Sequence, residues 1–232
     1  MNELPLLSIA LTTYQRTEYA LRTIQGIIDN LDYANRGWYI ADDGSDPEHM
    51  EALLSLLREN NETILGQHNH RYSPNCGIGW NWALKNCLQH ADYILWMEDD
   101  WILQDKVRIS RYIGKKFNPE PYIEMLSQRK DVGMVRLGGI AVGNNVRLVG
   151  HNGHHYIKYH RDEQYAYSGN PHIRHRRFMD VYGYFSEEEL NPGELELEFD
   201  GRFRAADGPD IWRPYDIPGW GIFNHVGEAR YR

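Results

Sequence analysis

The chain has 232 residues, 41% of them hydrophobic, enough for one sizeable domain with its own core. Its formal charge of −8 excludes bulk attraction to nucleic acid or anionic lipid, although a whole-chain sum can conceal a local basic face. No apolar run approaches the ~20 residues of a membrane span, and the first residues lack the basic start and apolar stretch of a signal peptide, so a cytoplasmic protein with reduced, structural Cys76 and Cys87 is expected.

Leu6 to Leu11 reads as a buried strand that ends in the polar cluster Thr12-Thr13-Tyr14-Gln15-Arg16. From Glu18 to Leu31 the apolar residues Leu21, Ile24, Ile27, Ile28 and Leu31 recur at helical spacing, with Thr17 placed to cap. Trp38–Ala41 is a second strand stopped by Asp42-Asp43-Gly44-Ser45, and Met50, Leu53, Leu54 and Leu57 mark a second helix. A short strand at 63–65, a Gly/Asn/His loop over 66–78 and a helix carrying Trp80, Ala83, Leu84, Cys87 and Leu88 follow. The fourth strand, Tyr93–Met97, runs into Glu98-Asp99-Asp100. Beyond it the spacing predicts helices near 105–113 and 120–129, a strand at 134–137 and a hairpin over 146–160 turning at His151–His154. Residues 209–218, rich in Pro, Gly and Asp, read as a loop over the site.

Strand–helix alternation implies right-handed crossovers and a largely parallel α/β sheet covered on both faces. In such sheets ligands bind at the carboxyl ends of the strands, so the clusters 12–16, 42–46 and 98–100 gather along one edge. Three consecutive acids after a buried strand need compensation, because unpaired buried carboxylates cost several kcal/mol each. An extended segment would point Glu98 and Asp100 to one side and Asp99 to the other. Oxygen donors of this kind suit Mg2+ or Mn2+ shared with a diphosphate. Taken singly, each cluster is also an ordinary solvated turn.

The ordered set Thr12–Arg16, Ala41–Ser45, Asn75–Asn81 and Glu98–Asp100 resembles the family-2 glycosyltransferases of the GT-A fold, closely over about residues 5–105 and loosely over 165–205. Thr12 stands where the family often has Pro, and Gln15 where it has Asn. The resemblance implies a single GT-A domain, with residues 1–105 as the nucleotide-sugar half and 106–232 as an acceptor-side half with a small C-terminal acceptor subregion. It implies inverting transfer from a nucleotide-sugar, a UDP-sugar first, with Mn2+ or Mg2+. Thr12, Tyr14, Arg16, Asn75, Gly79 and Asn81 would line the donor site, Asp43 rather than Asp42 would accept from uracil, and Asp99 would lie near the ribose. Asp100 would be the principal metal ligand, with Glu98 and a C-terminal His225. The family's general base lies about six residues before an arginine, and counting back from Arg202 reaches Glu196; Glu194 and Glu198 compete for the role. Asn191-Pro192 would open the helix that carries them.

Residues 151–177 hold six of the eleven histidines together with Lys158, Arg161, Arg174, Arg176 and Arg177, interleaved with Tyr156, Tyr159, Tyr165 and Tyr167. Such a segment is either an ordinary surface, with Arg174 facing a donor diphosphate, or a face for a polyanion. The acceptor is therefore a saccharide or, as for phage enzymes working in a host cytoplasm, a hydroxymethylated pyrimidine in DNA. A sugar nucleotidyltransferase would open on a Gly-rich loop, which Thr12–Arg16 lacks. A binding module that keeps the fold without activity is the rival outside enzymes.

Overall fold

The computed structural model describes residues 4–70, 76–104, 115–138, 146–163, 166–215 and 221–227. Strands β1 (Leu7–Thr13), β2 (Arg36–Asp42), β3 (Ile64–Asn69) and β4 (Tyr93–Glu98) alternate with helices α1 (Thr17–Asn30), α2 (Pro47–Glu59) and α3 (Cys76–His90). They pair in parallel in the order β3-β2-β1-β4. The chain continues through β5 (Trp101–Leu103), α4 (Glu120–Gln128), β6 (Val132–Arg136), the hairpin β7 (Val146–His151) and β8 (His154–Tyr159), then β9 (His172–His175), α5 (Arg176–Tyr182), α6 (Pro192–Ala205), β10 (Asp210–Pro214) and β11 (Phe223–His225). One nine-stranded sheet, β3-β2-β1-β4-β9-β6-β10-β8-β7, takes strands from both halves of the chain. Strand β9 runs antiparallel between β4 and β6.

Period-2 side-chain alternation supplies two cores. Leu7, Ile9, Leu11, Trp38, Ile40, Leu95 and Met97 face α1, α2 and α4. Ala10, Ala41, Ile94, Trp96 and Met134 face the other way, against Trp80, Ala83 and Leu84 of α3 and Phe178, Leu195, Phe199 and Phe203 of α5 and α6. The small side chains Ala10, Ala41 and Ala83 let α3 lie close over the strand ends. Burying each large apolar side chain stabilises the fold by roughly 1.5–3 kcal/mol.

The expected elements of the first half form with longer ends, and the hairpin turns where expected, with Asn152 (φ 47) and Gly153 (φ 75) at the left-handed positions. Four expectations need correction or lie elsewhere. Thr17 does not cap α1: Arg16 is the N-cap residue, and the Thr17 hydroxyl meets His49 instead. Residues 210–214 are not a loop but buried β10, because Ile211 and Trp212 pair with β6 and β8. Residues 172–175, read as part of a basic surface segment, are a central strand. The helix expected near 105–113 lies outside the described residues.

Two helix starts generate predictions. Helix α6 opens with a capping box, Glu194 N–H donating to Asn191 Oδ1 (3.0 Å) and Asn191 N–H to Glu194 Oε2 (2.9 Å). Glu194→Ala should therefore lower unfolding free energy by about 1 kcal/mol in urea titrations. At α5 the Nδ1 of His175 accepts from Arg177 N–H (3.1 Å), so the cap needs a neutral ring. Burial first, then the Arg177 charge, hold the His175 pKa at about 4 against an ordinary 6.5. The unfolded chain then takes up its proton first as pH falls, and stability is lost between those two values. His175→Asn keeps a capping acceptor that does not titrate, and should shrink the acid loss between pH 6.5 and 4 by on the order of 2 kcal/mol.

Candidate active site

The turns after β1 and β2 are locked together. Asp43 N–H donates to Thr13 O (3.0 Å), Gln15 N–H to Ser45 Oγ (2.7 Å), and Ser45 N–H to Asp42 Oδ2 (2.9 Å). Gln15 (φ 54) and Gly44 (φ 93) take left-handed backbone conformations that let both turns close sharply. Asp42 is held by this lock, and Asp43 lines a hollow together with Thr12, Thr13, Tyr14, Trp80 and Glu98. Gly79 makes room for it, since a Cβ there would overlap Asp43 Oδ1. The carboxylate thus lies against the first turn of α3, where a helix dipole favours negative charge. Pro192, the first residue of α6, also lines the hollow.

The three acids do not alternate as an extended segment would. β4 ends at Glu98, residues 99–100 form a turn, and β5 begins at Trp101. Asp99 and Asp100 therefore point together and Glu98 points away, the reverse of the expectation. Asp99 accepts from the Thr13 hydroxyl (2.9 Å) and Tyr14 N–H (3.1 Å) and pairs with the Arg16 guanidinium, while the Thr23 hydroxyl holds its backbone carbonyl (2.9 Å). Asp100 Oδ2 takes Arg16 NH1 at 2.7 Å and His225 Nε2 at 3.2 Å. Burial alone would raise the Asp100 pKa, but the bond from His225 and the Arg16 charge bring it down to about 2. Gly227 packs so closely that a Cβ would overlap Asp100 Oδ2.

A divalent cation fits one part of this arrangement. Asp100 Oδ1 is buried with no hydrogen-bond partner among the described residues, and an imidazole nitrogen lies beside the other oxygen of the same carboxylate. Oxygen and imidazole donors suit Mn2+ and, with more water, Mg2+. Glu98 does not join them, and no cluster of three His, Cys, Asp or Glu groups placed to hold a metal occurs among the described residues. Arg16, expected in the donor pocket, here supplies the positive charge that Asp99 and Asp100 require.

Of the three glutamates on α6, only Glu196 turns inward. Glu194 belongs to the capping box, and Glu198 pairs with Arg202 at 2.8 Å. Glu196 Oε1 accepts from Gly169 N–H at 2.7 Å. A Cβ on Gly169 would overlap that oxygen and stand 3.1 Å from Glu98 Oε1, so one glycine separates the two carboxylates. Burial raises the Glu196 pKa, opposed by the Gly169 N–H and by the buried Arg136 charge. The motifs contain no signal for Gly169 or Arg136; Thr13, which carries the contact to Asp99, sits inside the quoted cluster without being singled out.

Other expected donor contacts fall elsewhere. Asn81 is buried and grips the chain before α6: its Nδ2 donates to Phe185 O (2.9 Å) and Glu187 Oε1 (3.0 Å), and its Oδ1 accepts from Phe185 N–H (2.9 Å). Asn75 lies outside the described residues. The basic segment is not an open face. Arg174 is fully buried, donating to His172 Nε2 (2.8 Å) over the Trp96 ring, so it faces neither a diphosphate nor solvent. Arg176 pairs with Asp92 (2.6 Å) and Lys158 with Asp210 (2.5 Å). Arg177 donates to the carbonyls of Leu126 and Val132, and Arg161 to those of Phe203, Ala206 and Gly208. Cations spent on internal acceptors do not make a phosphate-binding surface. No described helix is long and apolar enough to cross a membrane.

Several solved structures share this architecture. Residues 1–349 of TarS from S. aureus superpose with a TM-score of 0.57 at 15% identity, over 90% of this chain and 60% of that one. The mannosyltransferase PcManGT from Pyrobaculum calidifontis, in complex with GDP-Man and Mn2+, gives 0.57 at 12% identity over 93% and 59%. GalNAc-T7 with UDP, GalNAc and Mn2+ gives 0.62 at 11% identity over 95% and 46%. At such identities the likeness is one of GT-A fold, and this chain spans less than two thirds of the length of each. No curated protein matches the chain in sequence. The family profile described as "Glycosyl transferase family 2" matches residues 8–178, which hold most of the sheet and every residue named above as lining the hollow except Pro192, and the chain belongs to that family.

Proposed function

We propose that this protein catalyses metal-dependent, inverting transfer of a sugar from a nucleotide-sugar, with a UDP-sugar as donor, to a saccharide hydroxyl. The observation that carries the reading is the Gly169 contact, which sets the Glu196 carboxylate beside Glu98 at the wall of the hollow lined by Thr12, Tyr14 and Asp43. A donor pocket and a buried carboxylate with a raised pKa then share one cleft.

In this reading Tyr14 stacks on the base, Asp43 accepts from its imide, and Asp99 lies near the ribose. Asp100 and His225 would hold Mn2+ or Mg2+, whose bound charge stabilises the departing diphosphate as a Lewis acid. Gly169 N–H fixes Glu196 Oε1, so the acceptor hydroxyl gives its proton to Oε2 as its oxygen attacks the anomeric carbon. The raised pKa makes Glu196 a stronger proton acceptor near neutral pH than an exposed glutamate. A saccharide is preferred to a hydroxymethylated base in DNA because the cations of 151–177 already meet acceptors of this chain, Arg174 wholly buried and Arg176 in a surface ion pair with Asp92. We place the protein's work as one domain, residues 1–105 serving the donor and 106–232 the acceptor.

A screen of nucleotide-sugars for slow, acceptor-independent hydrolysis tests this reading without knowing the acceptor. Hydrolysis should require Mn2+ or Mg2+, and Asp100→Asn should abolish it; undiminished hydrolysis in excess EDTA would remove the metal role. Once an acceptor is found, Glu196→Gln should slow transfer by about 100-fold or more while UDP affinity by calorimetry stays unchanged. Gly169→Ala should slow transfer comparably by displacing the carboxylate, and full activity in that variant would show that the base lies elsewhere.

A further inference from the structure

His49, on the third residue of α2, is 4% exposed, and both its ring nitrogens are spoken for. Nε2 lies 2.9 Å from Thr13 Oγ1 at the end of β1, and Nδ1 lies 2.8 Å from Thr17 Oγ1 at the start of α1. Thr13 Oγ1 is also 2.9 Å from Asp99 Oδ2. Counting protons orders this chain. An ionised carboxylate only accepts, so the single Thr13 proton goes to Asp99, and Thr13 must then accept from His49 Nε2–H. A neutral ring leaves Nδ1 to accept from Thr17, and burial does lower the His49 pKa despite Asp42 at 3.9 Å. No motif picked this histidine out.

We propose that His49 is a positioning residue: its Nε2–H orients the Thr13 hydroxyl onto Asp99 and thereby sets the turn that aims Asp100. The proposal rests on the donor-site reading above, since Asp100 matters only if that turn meets a metal and a diphosphate. A rigid ring suits the task because it presents a donor and an acceptor at fixed separation to hydroxyls on β1 and α1. Without it the Thr13 hydroxyl rotates freely among acceptors, and the turn keeps Arg16, Tyr14 N–H and Thr23 but loses an oriented contact.

The test compares His49→Leu, His49→Gln, Thr13→Val and the Leu/Val double variant. Mn2+ affinity in the presence of UDP is read by water proton relaxation, UDP affinity in EDTA by calorimetry, and the fold by thermal unfolding. His49→Leu and Thr13→Val should each weaken Mn2+ by about tenfold, and the double variant by about tenfold again rather than a hundredfold, because one chain of bonds is broken in each. His49→Gln, which can still donate and accept, should stay within about threefold of wild type. UDP affinity without metal should not change in the His49 variants, since His49 does not line the hollow. Multiplying losses, an unaffected Mn2+ affinity in His49→Leu, or a Gln variant as impaired as Leu would overturn the proposal. If the Leu variant does not fold, His49→Met takes its place, since a flexible thioether fits irregular space. Should wild type bind neither UDP nor Mn2+, the transferase reading fails, and the Asp99 carboxylate 13C resonance still decides the proposal. Equal shifts in His49→Leu and Thr13→Val support it, and a resonance unmoved by His49→Leu overturns it.

Discussion

Two carboxylates, Asp99 and Asp100, are buried at the end of a central strand, at 0% and 4% exposure, and the rest of the site is arranged around their compensation. Left unpaired, each would cost several kcal/mol. Arg16 meets both, Thr13 and Tyr14 N–H serve Asp99, and His225 serves Asp100. To deliver these partners, β1 must turn sharply at Gln15, β11 must pair with β5 to bring His225 back beside Asp100, and Gly227 must lack a side chain. The elements that converge here come from residues far apart in sequence. The acid turn therefore binds β1 and β4 to the end of the described chain.

A second constraint joins the two sides of the cleft. Asn81 reads both backbone groups of Phe185, and Phe185 packs on Trp80 (4.8 Å between ring centres) and Phe199 (4.9 Å). Trp80 lines the donor hollow and Phe199 lies on α6, one turn beyond Glu196. The position of the α6 carboxylate is thus tied by direct contacts to the helix that starts beside Asp43. Asn81 thus belongs to the frame of the site, and the motif that carries it at the start of α3 also holds the chain that leads into α6.

The first half of the fold was legible because strand and helix periods alternate cleanly from Leu7 to Glu98 and polar residues follow each strand. The acid cluster and Asp43 were singled out by the same order of motifs, and counting back from Arg202 reached Glu196, with Glu194 and Glu198 still competing; of the three it is Glu196 that meets Gly169 N–H. What escaped depends on tertiary pairing. Strand β9 carries His172 and Arg174, whose polarity conceals a central strand, and it is buried only because β4 and β6 flank it. Strand β10 looked like a loop because Pro, Gly and Asp surround its two apolar residues. The alternation rule failed at Glu98–Asp100 because the strand ends one residue into the cluster. Composition alone likewise suggested a basic face, whereas Arg161, Arg174 and Arg177 meet buried or half-buried acceptors and Arg176 pairs with Asp92 at the surface.

The most direct measurement of the central claim, that the strand-end acids and the α6 carboxylate form one metal-dependent donor cleft, is Mn2+ broadening of backbone amide NMR signals in the presence of UDP. The account predicts UDP-dependent broadening centred on Asp100, Tyr14, Gly227 and Gly169, with the β7–β8 hairpin unaffected. Broadening centred on any other part of the sheet, or none that depends on UDP, would contradict it.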